Sequence, residues 1–165
     1  MLERTLRLGF ARLRVSGFSM SGGIYKAAKP VILLVEDYGD AREMLGLLLQ
    51  AWGWQVLESA NGVEAFELAR IHRPILIITD LNLPGIDGIE LVRQIRHAGN
   101  WFEVVPIIML TAIDEETSRH TALAAGVNRF FTKPLNVTLL ESSISELVED
   151  SRLQEEYRNN KNSVK

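Results

Sequence analysis

The feature that most constrains this chain is an alternation. Short runs of aliphatic and β-branched residues are separated by longer segments whose apolar residues recur at helical spacing. The first run, VILLVED (31–37), is continuously apolar and ends in acids, as a strand buried on both faces of a parallel sheet does. WQVLESA, ILIITD, VPIIMLTA and RFFTKP read as the four strands that follow, the last ending before Pro134. Between them, Met44, Leu45, Leu48, Leu49 and Trp52 form a helical stripe closed by Gly53. Val63, Phe66 and Ala69 or Arg70 form another, with Asn61 as its N-cap and Pro74 beyond its end. Asp87 caps a third helix, which carries Ile89, Leu91, Val92 and Ile95, with Glu90 at capping-box spacing. EETSRHTALAAG is the fourth. The fifth starts near Asn136 and presents Val137, Leu140, Ile144, Leu147 and Val148. Five β-α units predict an α/β fold: a doubly wound, five-stranded parallel sheet with helices on both faces.

Composition narrows the class. A hydrophobic share of 47% against 24% charged residues is a soluble globular balance. Eighteen basic and 21 acidic residues give a net charge of -3, with no long run of one sign, so a nucleic-acid partner is not expected. The chain has no cysteine, which removes disulfides and thiolate chemistry and fits a reducing compartment. No apolar run approaches the roughly 20 residues of a membrane span. The expected location is cytoplasmic, without membrane attachment.

Residues 1–29 read differently. Arg4, Arg7, Arg12, Arg14, Lys26 and Lys29 stand against the single acid Glu3, and Ser-Gly-Gly at 21–23 resembles a linker. They read as a flexible basic tail or as leader sequence upstream of Met20, although an arginine-rich, acid-poor composition is also that of a transit peptide. The expected domain is 30–150. Residues 151–165 are its C-terminal helix extension and tail, and the helix is expected to continue a turn or two past Val148 before fraying.

In open α/β sheets, ligands bind beyond the carboxyl ends of the strands. Those ends carry Glu36 and Asp37, then Asp80 (in ITDLNLPGIDG), then Thr111, then Lys133. Each alone is an ordinary turn or strand residue; together they make a rim of ligating groups. Two carboxylates about 4 Å apart at an effective dielectric near 20 repel by roughly 4 kcal/mol, so three crowd on the order of 10 kcal/mol. One lysine offsets part of this. A hard divalent cation such as Mg²⁺ answers it more fully, unless the acids splay into water. His72, His97 and His120 have no metal or triad spacing and read as surface residues, and Trp52, Trp54 and Trp101 as packing residues.

VEDYGDARE, TDLNLPGIDGIEL, MLTA and FFTKPL, in this order and at these intervals, resemble the receiver domain of two-component response regulators over about residues 30–150. The resemblance implies a flavodoxin-like fold and a phosphoacceptor at Asp80. It implies a Mg²⁺ site made by Glu36, Asp37, Asp80 and the backbone carbonyl of Asn82, phosphoryl contacts from Thr111 and Lys133, and a switch residue at Phe130. The side chains of Asn82 and Ile113, two residues after Asp80 and Thr111, would border the path of a hydrolytic water and so control dephosphorylation. The Lys133-Pro134 step matches one that is often cis in the family. The implied function is that of a single-domain response regulator, not an enzyme. It would be phosphorylated by a histidine kinase or a phosphotransfer protein and would signal by protein contact through the face of the fourth helix, fifth strand and fifth helix. Two other readings stand beside it: a phosphorylation-independent scaffold, and a Mg²⁺-dependent aspartyl-phosphate hydrolase. The second normally has another Asp where this chain has Asn82.

Overall fold

The computed structural model describes residues 30–112 and 116–162. The chain alternates β1 (Val31–Val35), α1 (Gly39–Ala51), β2 (Gln55–Ser59), α2 (Gly62–His72), β3 (Leu76–Asp80), α3 (Gly88–His97), a 3-10 turn at Asn100–Glu103, β4 (Ile107–Thr111), α4 (Glu116–Ala125), β5 (Arg129–Thr132) and α5 (Val137–Asn162). The strands form one sheet in the order β2-β1-β3-β4-β5, and every neighbouring pair is parallel. The α/β expectation is met in element order and in sheet type.

Side chains alternate across a strand, so each continuous apolar run serves two cores. Leu33, Val35, Ile77 and Met109 pack on one face with Ala65, Ala69, Leu91, Val92, Ile95 and Ala122 of α2, α3 and α4. Ile32, Leu34, Ile78, Ile108 and Leu110 pack on the other with Leu45 and Leu49 of α1 and Leu140, Ile144 and Leu147 of α5. Burying a side chain of this size stabilises by about 1.5–3 kcal/mol, so both layers hold the sheet rigid beneath its rim. Trp52 and Trp54 pack against the second core and Trp101 against the first, while all three histidines are exposed.

The predicted caps form. Asn61 accepts from the amide of Glu64 at 2.9 Å and Asp87 from that of Glu90 at 2.8 Å. The capping box is only half made, because the Glu90 carboxylate instead accepts from Gln94 and pairs with Arg93. Three members of the helical stripes, Met44, Val63 and Val137, are exposed. The buried face of α2 is made by Gly62, Ala65 and Ala69, and Val63 lies off it. The largest difference lies in α5, which does not fray after two turns but runs to Asn162. Past Val148 it loses its apolar face, with Leu153 and Tyr157 exposed, yet Arg152 pairs with Glu149 and Glu156 at one-turn spacing. Such pairs, together with residues of good helix propensity, sustain a solvated helix.

Candidate functional site

β1 has β2 on one side and β3 on the other, so the strand order reverses at its carboxyl end. Val35 is in register with Thr79, which sets Glu36 and Asp80 side by side at that reversal. β4 continues the rim: Asp80 is in register with Leu110, followed by the fully buried Thr111. The amide of Lys133 donates to the carbonyl of Thr111 at 2.7 Å, bringing the lysine in from β5. The Lys133–Pro134 peptide is cis.

Asp80 is nearly buried. Its Oδ1 accepts from the amide of Asn82 at 2.9 Å, which fixes the carboxylate in one orientation. Its Oδ2 accepts from Lys133 Nζ, and the same ammonium donates to Glu36 Oε2 at 2.7 Å. Burial pushes the Glu36 carboxyl above its ordinary value. The charge of Asp80 adds to that, against the opposing pull of the Lys133 hydrogen bond and charge. For Lys133, burial pulls downward, but its bonds to Asp80 and Glu36 prevail and raise it. The lysine is therefore a firmly held cation between two acids.

The rim read from sequence as a three-acid cluster gathers two acids and a lysine. Glu36 and Asp80 meet at Lys133, while Asp37 is exposed. Among the described residues no three acids or imidazoles lie close enough together to hold a metal ion as they stand. The physical reason is charge: the ammonium relieves the repulsion of the nearest pair, and the third acid avoids the rest by facing water. The donor set nevertheless fits Mg²⁺, which keeps several of its waters and needs only one or two carboxylates. The ammonium between Glu36 and Asp80 marks where positive charge is required.

Asn82 is exposed beside Asp80. Phe130 is partly buried against the core of α2, α3 and α4, with the Arg119 guanidinium 5.9 Å from its ring centre. Ile113 lies outside the described residues, as do residues 1–29. Two contributors were not singled out from sequence. Arg42 reaches back from α1 to the acidic loop. Gly88 opens α3, and a Cβ there would lie 2.2 Å from the backbone oxygen of Asp80 and 3.1 Å from Leu81 Cα. Only glycine lets α3 begin against the strand end that carries Asp80, with its amide on the carbonyl of Leu81 at 2.8 Å. Backbone cannot yield as a side chain tip can, so Gly88→Ala should cost about 1–3 kcal/mol of stability, read from chemical denaturation. An unchanged midpoint would show that the contact is not tight.

The response regulator receiver domain family matches residues 32–145, and the chain belongs to it. It is 36% identical over 115 residues to the chemotaxis protein CheY1 of Helicobacter pylori, covering 68% of this chain and 92% of that protein. It is also 36% identical over 115 residues to the transcriptional regulatory protein AfsQ1 of Streptomyces coelicolor, covering 70% of this chain but 49% of the relative. It is 31% identical over 140 residues to the sensor protein EvgS of Escherichia coli, covering 81% of this chain and 11% of that protein. The chain thus spans half or less of the length of AfsQ1 and EvgS. Among solved structures, the chemotaxis protein CheY4 of Vibrio cholerae superposes with a TM-score of 0.68 at 30% identity, over 73% of this chain and 99% of that one. A putative response regulator of Chloroflexus aurantiacus gives 0.69 at 32%, with the same coverage. Receiver domains are signalling phosphoacceptors, generally Mg²⁺-dependent, that interact with histidine kinases and phosphotransfer proteins. Among the described residues no helix is long and apolar enough to cross a membrane.

Proposed function

We propose that residues 30–150 form a receiver whose Asp80 accepts a phosphoryl group from a histidine kinase or phosphotransfer protein and which signals by protein contact from the cytoplasm, with α5 extending past it to Asn162. The observation that carries this reading is the Lys133 ammonium bridging Glu36 and Asp80 beside the buried Thr111. Glu36, Asp37, Asp80 and the carbonyl of Asn82 would hold Mg²⁺. When bound, the ion supplies charge that lets an anionic phosphodonor approach a carboxylate. Asp80 contributes the nucleophilic oxygen, and the Asn82 amide on Oδ1 leaves Oδ2 as the attacking atom. Bond formation from Oδ2 to phosphorus accompanies departure of the donor's leaving group, and Lys133, with three donors, can turn from Oδ2 to a phosphoryl oxygen. The Thr111 hydroxyl would donate to a second one. The scaffold alternative lacks support from this geometry, since a scaffold has no need of an acid pair and a lysine held in contact.

Thr111 ends β4 and Lys133 directly follows β5, so their rearrangement would be felt on the face of α4, β5 and α5, where Phe130 sits under Arg119. Ile113 is apolar and cannot orient a hydrolytic water, whereas Asn82 can, so we propose that Ile113 prolongs the phosphorylated state. One experiment tests both parts. The protein is phosphorylated with acetyl phosphate and Mg²⁺, the donor is removed, and amide exchange is followed alongside intact mass. Exchange across residues 116–140 should change and then revert as the phosphoryl group is lost, sooner in Ile113→Glu. Exchange indifferent to phosphorylation would refute the switching face, and equal or slower reversion in the variant would refute the role of Ile113.

A further inference from the structure

We propose that Arg42 is the positioning residue of the acidic loop, holding Glu36 and Asp37 by their backbone carbonyls and anchored in turn by Glu58. This rests on the Mg²⁺ reading of the rim. Arg42 lies in the first turn of α1, and its Nη1 donates to the carbonyl of Glu36 at 2.7 Å and to that of Asp37 at 3.3 Å. Its Nε lies 3.6 Å from Glu58 Oε2 on β2. That pair is partly exposed and adds little stability of its own; what it supplies is direction, turning the guanidinium toward the loop. Room for Glu58 comes from Gly46 on α1, where a Cβ would lie 2.6 Å from Glu58 Oε1. The loop is pinned from its other side by the Glu36 amide, which donates to the carbonyl of Ser59 at 3.1 Å. Two acids separated by no intervening residue, one buried on Lys133 and one facing water, need a fixed backbone if both are to reach one ion. Arg42 fixes that backbone without touching either carboxylate.

Groups that orient metal ligands typically matter by about 10–100-fold in affinity when removed. The test is calorimetric titration with Mg²⁺ of wild type, Arg42→Ala, Arg42→Lys and Arg96→Ala, with melting temperatures measured alongside. Arg96 is the control for a merely structural arginine: it donates to the carbonyls of Phe102, Val105 and Gly126, none of them on the rim. Arg42→Ala should raise the Mg²⁺ Kd about 10-fold, and Arg42→Lys by less because the charge persists without the fork. Arg96→Ala should lower the melting temperature and leave the Kd unchanged. If Arg42→Ala does not fold, Arg42→Lys carries the comparison. A wild-type Kd in the Arg42 variants, or equal weakening in Arg96→Ala, overturns the positioning role alone. Absence of Mg²⁺ binding in wild type overturns the metal site and this inference with it.

Discussion

Metal-free Lys133→Ala should be roughly 1–3 kcal/mol less stable than wild type at neutral pH. Breaking a fully buried pair costs about 3–5 kcal/mol, and the partial exposure of Lys133 reduces that. The loss arises because Glu36 and Asp80 are left together, both nearly buried, with no cation between them. Millimolar Mg²⁺ should therefore raise the melting temperature of the variant more than that of wild type. Phosphorylation should nonetheless slow by about 10²-fold, since a metal at the rim does not replace the donor that the phosphoryl oxygen loses. The deficit should also depend on pH. In wild type, burial already holds the Glu36 carboxyl above its ordinary value against the pull of Lys133, and removing the lysine raises it further. A raised carboxyl favours folding below its ordinary value and loses that contribution as pH rises through its folded value. The gap between variant and wild type should be narrowest in acid and widest near neutrality, read from urea midpoints across pH. Lys133 itself is raised, so wild type keeps its contribution through neutral pH and loses it as alkali passes the folded value. A gap that closes toward neutral pH would mean that Lys133 is not what tolerates the two acids.

The rim was legible because chemistry at the end of a strand stands out against an apolar run. Asp80 follows four fully buried residues, and Glu36 follows β1 in the same way, so the parallel sheet alone brings them together. The bridging role of Lys133 was only half visible. Spacing places it on the rim, but the choice between contacting acids and facing solvent is set by tertiary geometry, which also sends Asp37 outward. Arg42 was hidden for a different reason: an arginine in the first turn of a helix looks like a solvated face, and its acceptors are carbonyls, which carry no mark in sequence. Gly88 was absorbed into a capping pattern, while its closest approach is to the backbone of Asp80. The length of α5 is not legible from its buried stripe, which ends at Val148, because ion pairs one turn apart sustain the helix beyond it.

The second large effect concerns Asp80 itself. Asp80→Asn keeps size and shape, and its amide oxygen can still accept from the Asn82 amide, but it removes the anionic oxygen that bonds phosphorus. Loss of phosphorylation should be complete rather than graded. Glu36 and Asp37 should not substitute, because on this reading their carboxylates serve the metal and not the phosphoryl group. Intact mass after incubation with acetyl phosphate and Mg²⁺ is the measurement closest to the central claim. Wild type should gain one phosphoryl group, lose that gain when a chelator is present from the start, and show none in Asp80→Asn. A wild-type protein that stays unmodified, or an Asp80→Asn protein that gains the same mass, would contradict the account.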